Sequence, residues 1–159
     1  MNINACFLQT TDNWKTPSKL MEALKEHGWI DTFPYMCDYD EFLKNYRHQK
    51  IYVNPPYSKL RMVANWVEDQ IRRENQILLL IPARTDTKYF HQLLKYNPTL
   101  FLIKGRLKFN DVNSSAPFPS IIMYFDLWYR LPLYRSVTLE EFIELINDGL
   151  DYNKEKNND

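Results

Sequence analysis

Apolar positions along the chain fall into short runs and helical stripes, separated by polar and proline-containing stretches. Thr16 and Pro17 read as the N-cap and first residue of a helix. Leu20, Met21 and Leu24 then form one apolar stripe that stops before Gly28, predicting a helix over about 17–27. Ile51-Tyr52-Val53 is a β-branched and aromatic run halted by two prolines, which suits a buried strand that delivers a rigid loop, Asn54 to Ser58, at its carboxyl end. Leu60, Val63, Ala64, Val67 and Ile71 recur at helical spacing, so residues about 60–73 form an amphipathic helix that packs back on the sheet.

The five apolar residues Ile77 to Ile81 have the continuity of a buried parallel strand, ended by Pro82, and a second loop runs from Pro82 to Asp86. Phe90, Leu93 and Leu94 mark a short helix, Leu100 to Ile103 a strand, and Ile121 to Phe125 a last strand. Thr138-Leu139-Glu140-Glu141 is a capping box ahead of the stripe Leu139, Phe142, Ile143 and Ile146, with Gly149 as the stop of a helix over 136–149. From about 151 the chain turns polar and is expected to fray. Strands alternating with helices predict the α/β class, and residues 1–150 make a single domain.

Composition narrows the picture without deciding it. No apolar run approaches the ~20 residues of a membrane helix, and the polar start Met1-Asn2-Ile3-Asn4 lacks the charged region of a secretory signal, so a soluble, intracellular protein is expected. Cys6 and Cys37 have neither CxxC spacing nor a histidine cluster, which predicts reduced thiols and no metal. The 20 basic and 20 acidic residues cancel, so any affinity for nucleic acid must come from a local patch. Glycine is scarce, at three residues.

The chemistry centres on Asn54-Pro55-Pro56-Tyr57. Two prolines fix the backbone and lack N–H groups, so the loop carbonyls are held outward as acceptors, and the Asn54 side-chain oxygen adds another. An exocyclic amino group on adenine is a poor nucleophile because its lone pair is delocalised into the ring. Two acceptors on its hydrogens localise that pair and permit attack on a sulfonium methyl. Tyr57 supplies a flat face for a base swung out of the duplex. Such catalysis rests on positioning and electrostatics and needs no metal. The plainer reading, a sharp Pro-Pro turn with Tyr57 as a packing residue, stands beside it.

The chain resembles the phage and prophage DNA N6-adenine methyltransferase family (Dam-like), and the likeness extends past the tetrapeptide. Trp14 to Pro17, Asn54 to Ser58, Leu79 to Thr87, Lys104 to Phe109 and Ala116 to Ser120 look like the family's segments, in the same order, over about residues 14–125. The resemblance implies a doubly wound, Rossmann-like S-adenosylmethionine-dependent methyltransferase fold, with S-adenosylmethionine as donor and adenine in DNA as acceptor. Asn54, Pro55, Pro56 and Tyr57 would then be catalytic. It also implies a cytoplasmic protein of a bacterial host, phage or prophage encoded, with protection from restriction as a natural role.

Asp31-Thr32-Phe33 looks like the beginning of such a family's donor-binding motif, but Pro34-Tyr35-Met36-Cys37-Asp38 stands where glycines should follow. Asp31 and Phe33 are candidate donor contacts, as are Trp14, Thr16 and Pro17 through their resemblance to the family's amino-terminal element. Only 22 residues separate Asp31 from Asn54, too few for the usual intervening units, so a compact, trimmed sheet is expected. Arg84, Thr85 and Asp86 follow a buried strand and are candidate substrate contacts, Arg84 toward phosphate or the donor carboxylate with Asp86 orienting it through an ion pair; the plainer reading is a structural ion pair capping the next helix. Lys104, Arg106 and Lys108 alternate with Leu107 and Phe109, offering a phosphate track on one face. His27, His48 and His91 have no nucleophile or metal geometry. Two other readings remain: a degenerate methyltransferase fold that binds DNA or a protein partner without a donor, as in counter-defence, and a methyltransferase acting on RNA or on protein glutamine.

Overall fold

A computed structural model describes residues 14–35, 39–128 and 133–150. Cys6, Cys37 and the polar stretch from 151 lie outside the described residues. The helices are α1 (Ser18–Glu26), α2 (Leu60–Arg72), α3 (Lys88–Leu94) and α4 (Leu139–Asn147). The strands are β1 (Ile30–Asp31), β2 (Lys50–Val53), β3 (Gln76–Pro82), β4 (Thr99–Ile103), β5 (Ser120–Phe125) and β6 (Tyr134–Val137), in one sheet of order β1-β2-β3-β5-β4-β6. All pairings are parallel except those of β5, which runs antiparallel to both β3 and β4. The predicted α/β class and the trimmed, Rossmann-like sheet are what the fold presents.

Side chains alternate between two cores, one on each face of the sheet. Leu78 and Leu80 of β3 join Tyr52, Phe101, Ile122 and Tyr124 beneath α1 and α4, which contribute Leu20, Leu24, Phe142 and Ile146. Ile77, Leu79 and Ile81 face the other way, with Ile51, Val53, Ile121 and Met123, beneath α2 and α3. Because β3 is covered on both faces, its run from Ile77 to Ile81 is apolar throughout and fully buried.

The predicted elements recur with small shifts at their ends. A 3-10 turn at Tyr57–Lys59 leads straight into α2, and α4 begins at the expected capping box, where Thr138 Oγ1 accepts from Glu141 N–H and the Glu141 carboxylate accepts from Thr138 N–H. Among the described residues between Asp31 and Asn54, β2 is the one strand. β1 pairs directly with β2, and the described residues of their connection include a 3-10 turn at Tyr39–Leu43. Two features differ from expectation. β6 is a sixth strand at the sheet's edge. At α1, Pro17 rather than Thr16 holds the N-cap position, with no side-chain cap of its own.

The amino end of α1 is secured from outside the helix. Asp111 Oδ1 accepts from Ser18 N–H at 2.9 Å and Oδ2 accepts from the Ser18 hydroxyl, while Lys15 N–H donates to Asn110 Oδ1 at 2.8 Å and Asn110 N–H donates to the Lys15 carbonyl at 2.9 Å. Asn110 and Asp111 stand at φ 60° and 53°, a left-handed conformation that short polar side chains tolerate better than most. The Ser18 donors hold the Asp111 carboxyl below the usual carboxylate range. The segment 109–111 thus clasps residues 15–18 onto the sheet's edge.

Substitutions in and beside α4 separate core packing from capping. Thr138→Ala should cost about 1 kcal/mol, the usual worth of an N-cap. Phe142→Ala, which empties a fully buried site, should cost about 3–5 kcal/mol, both read from urea unfolding.

Candidate active site

Sheet topology brings the family-like segments together. β1, β2, β3, β4 and β6 run parallel and β5 runs against them, so their carboxyl ends and the amino end of β5 share one edge. Asp31, Asn54 to Ser58, Ala83 to Thr87, Lys104 to Phe109 and the approach through Ala116 to Ser120 all emerge there. An α/β sheet places its ligands at this edge.

Register orders these residues further. Asp31 pairs with Tyr52 across β1 and β2, so both side chains leave the sheet on the α1 and α4 face. Asn54 lies two positions beyond Tyr52, and the two side chains meet at a common atom: Tyr52 Oη is 2.9 Å from Thr16 Oγ1, which accepts from Asn54 Nδ2 at 3.0 Å. Asn54 Nδ2 also donates to the Trp14 carbonyl. Asp31 and Asn54 therefore share one face, as a joint site requires. Ser120 at the head of β5 alternates onto this face as well, since Ile122 does.

Asp31 is the electrostatically unusual group. Burial pushes its carboxyl up to about 6, against a hydrogen bond from Phe33 N–H and the attraction of Lys25, with Glu41 adding to the rise. Its Oδ1 is buried with no hydrogen-bond partner, and the Ser120 hydroxyl is in the same condition. A buried polar atom without a partner is uncommon in folded proteins and fits a place where a ligand supplies the missing donor or acceptor.

Asn54 and Tyr57 are enclosed. The Tyr57 hydroxyl donates to Asn54 Oδ1 at 2.9 Å, and its ring meets those of Phe109 and Phe118 edge-on at centroid distances of 6.4 and 5.6 Å. Trp14 packs edge-on against the same two rings. Burial holds the Tyr57 phenol well above its usual range, so it remains a hydrogen donor. Tyr57 does not present the open face expected for a stacked base.

Other candidates separate in space. Phe33, expected at the donor, packs against Phe42 and Trp66 in the α2 core, on the opposite side of the sheet from Asp31. Pro17 is buried at the start of α1. Arg84, Thr85 and Asp86 are exposed at the correct edge, but the expected ion pair between Arg84 and Asp86 does not form. Their loop is fixed instead through carbonyls: Arg84 O accepts from Thr87 N–H and Oγ1, and Thr85 O meets His91 Nε2 at 2.8 Å. Lys104, Arg106 and Lys108 are exposed while Leu107 and Phe109 are buried, so the expected alternation holds in an irregular segment and not in a strand. Lys104 Nζ lies 4.0 Å from Glu141. Among the described residues no group of three or more His, Cys, Asp or Glu side chains is arranged to hold a metal ion, and no helix is long and apolar enough to cross a membrane.

Tyr52, Phe109, Phe118 and the Asn110-Asp111 clasp belong to this site although sequence reasoning assigned them no role. Tyr52 read only as a strand residue, and the aromatic pair only as parts of family-like segments. The consecutive Asn-Asp was the one local signal of a left-handed turn.

A six-stranded α/β sheet flanked by helices on both faces is a compact Rossmann-like methyltransferase fold, trimmed on the β1 side. The chain belongs to the DNA N-6-adenine-methyltransferase (Dam) family, whose model matches residues 6–123. No curated protein and no solved structure matches it.

The raised Asp31 carboxyl has a direct consequence for stability. A folded pKa of about 6 above an unfolded value near 3.8 means that the ionised form is disfavoured in the native state. The stability present below pH ~4 should therefore decline as pH rises through about 6, by up to about 3 kcal/mol. Asp31→Asn should flatten this window and be the more stable protein at pH 8, measured by urea unfolding from pH 4 to 8.

Proposed function

We propose that the protein is an adenine N6-methyltransferase acting on DNA, using S-adenosylmethionine as methyl donor. The observation that carries this reading is the convergence of Asp31 and Asn54 on one face at the carboxyl edge of the sheet, in a chain of the DNA adenine methyltransferase family. When bound, S-adenosylmethionine would supply an electrophilic sulfonium methyl for an amino nitrogen to attack; the carbon–sulfur bond breaks to leave S-adenosylhomocysteine, and the amino group gives up one proton. The buried, unpartnered Asp31 oxygen suits the hydroxyl or ammonium donors that such a molecule carries.

Asn54 Oδ1 and the Pro55 carbonyl accept hydrogens from the adenine amino group, which localises its lone pair and orients it. The Tyr57 hydroxyl uses one lone pair of Asn54 Oδ1, and the second remains for the amino group. Tyr57, with Phe109 and Phe118, forms an aromatic enclosure that excludes water once the base is in. Trp14, Thr16 and Pro17 border the donor side. Arg84 and the exposed Lys104, Arg106 and Lys108 hold backbone phosphates at the rim, with Thr85 and Asp86 beside them.

A donor-free binding module is the competing reading. It is favoured by β1 standing as a two-residue edge strand, followed by Thr32, Phe33 and Pro34 where glycines would let a donor approach the backbone. The two are separated by methyl transfer from labelled S-adenosylmethionine to mixed-sequence DNA, RNA and protein, with nucleoside mass spectrometry as readout. N6-methyladenine in DNA that falls at least about 100-fold in Asn54→Ala supports the enzyme. No product together with no donor binding supports the module.

Donor affinity should also depend on pH. Because Asp31 ionises near 6, binding should strengthen as pH rises through that value, and Asp31→Ala should weaken it roughly tenfold or more and remove the pH dependence, measured by calorimetry.

A further inference from the structure

We infer that Thr16 is a positioning residue for the proposed reaction: with the Trp14 carbonyl it sets which end of the Asn54 side-chain amide faces the reacting group. The inference rests on the enzyme reading and deepens it. An asparagine side chain carries a donor end and an acceptor end of nearly equal size, and only the acceptor end can draw hydrogen from an amino group. Something must therefore distinguish the two ends.

The surroundings of Asn54 do so. The Trp14 carbonyl can only accept, so the atom facing it must be Nδ2. Thr16 Oγ1 lies 3.0 Å from the same nitrogen and accepts its second hydrogen, and Tyr52 Oη, 2.9 Å away, completes the hydroxyl's own bonding. With both N–H groups committed to residues 14 and 16, Oδ1 is turned toward the Tyr57 hydroxyl. Thr16, Tyr52 and Asn54 are all buried, at 5%, 1% and 8% exposure, so water does not compete for these bonds.

This arrangement also explains why Thr16 does not cap α1. Its hydroxyl is used across 38 residues of sequence by Asn54, and the helix start is secured by Asp111 instead. The clasp from Asn110 to Lys15 fixes the backbone on which Trp14 and Thr16 stand, so the amide's orientation depends on three separate segments of the chain.

The test compares Thr16→Val, which keeps the shape and removes the acceptor, with Thr16→Ser, which restores it. Two readouts are used: steady-state methyl transfer, and deuterium exchange of the Asn54 side-chain amide by 15N nuclear magnetic resonance. Thr16→Val should lower kcat about tenfold to hundredfold with little change in the KM for the donor. It should also speed exchange of the Asn54 amide at least about tenfold. Thr16→Ser should recover most of both. Thermal unfolding of each variant checks that the fold is kept, and Tyr52→Phe, which leaves the Thr16 acceptor in place, should give a smaller loss than Thr16→Val.

A Thr16→Val protein that keeps kcat and raises the donor KM would overturn the inference in favour of direct donor contact. Equal impairment in Thr16→Ser would overturn it in favour of a purely steric role. If the wild-type protein has no turnover, the enzyme reading falls. The amide exchange still decides the positioning: faster exchange in Thr16→Val supports it, and unchanged exchange overturns it.

Discussion

A carbonyl that can only accept a hydrogen bond organises the carboxyl edge of this sheet. The Trp14 carbonyl and the Thr16 hydroxyl take both hydrogens of the Asn54 amide, and that cannot happen unless the segment before α1 lies across the end of β2. The clasp from Asn110 and Asp111 holds it there. Two left-handed, non-glycine residues in succession carry backbone strain of about 1–3 kcal/mol each where the side chain does not suit the conformation. Asn and Asp reduce that cost, and four hydrogen bonds to residues 15 and 18 offset it.

The sheet makes this edge the natural meeting place. With β5 inserted antiparallel between β3 and β4, the chain enters and leaves the sheet so that every family-like segment beyond the amino-terminal one begins or ends at the same rim. Hydrophobic burial on both faces fixes the strand register, and a slip of one residue in β2 would carry Tyr52 and Asn54 together to the face opposite Asp31. The two cores therefore stabilise the fold and also set which face these side chains share. The trimmed β1 side leaves Asp31 close to the sheet's margin, buried enough to raise its pKa yet with one oxygen still unpartnered.

Elements that rest on local patterns were legible from the sequence. The apolar run of β3, the helical stripe of α2, the prolines after β2 and the Thr138-Glu141 capping box each carry their own signal. β6 was not legible because Tyr134-Arg135-Ser136-Val137 is an edge strand with mostly exposed side chains, and its pairing with β4 leaves no hydrophobic alternation. Thr16 looked like an N-cap because the local pattern of Thr-Pro before a stripe is that of a helix start; its true partners lie 36 and 38 residues away. Tyr57 looked available for stacking for the same reason. Its neighbours Phe109 and Phe118 lie 52 and 61 residues further along the chain. The expected Arg84–Asp86 pair does not form; both side chains are exposed, and the loop's hydrogen bonds run through the Arg84 and Thr85 carbonyls, which side-chain identities do not reveal.

The most direct test of the account is a titration of isotopically labelled protein with S-adenosylhomocysteine, followed by backbone and side-chain amide resonances. Saturable shifts concentrated at Trp14 to Ser18, Asp31 to Phe33 and Asn54 to Ser58 are the expected result. Shifts confined to other parts of the surface, or none at millimolar ligand, would contradict a donor site at the carboxyl edge.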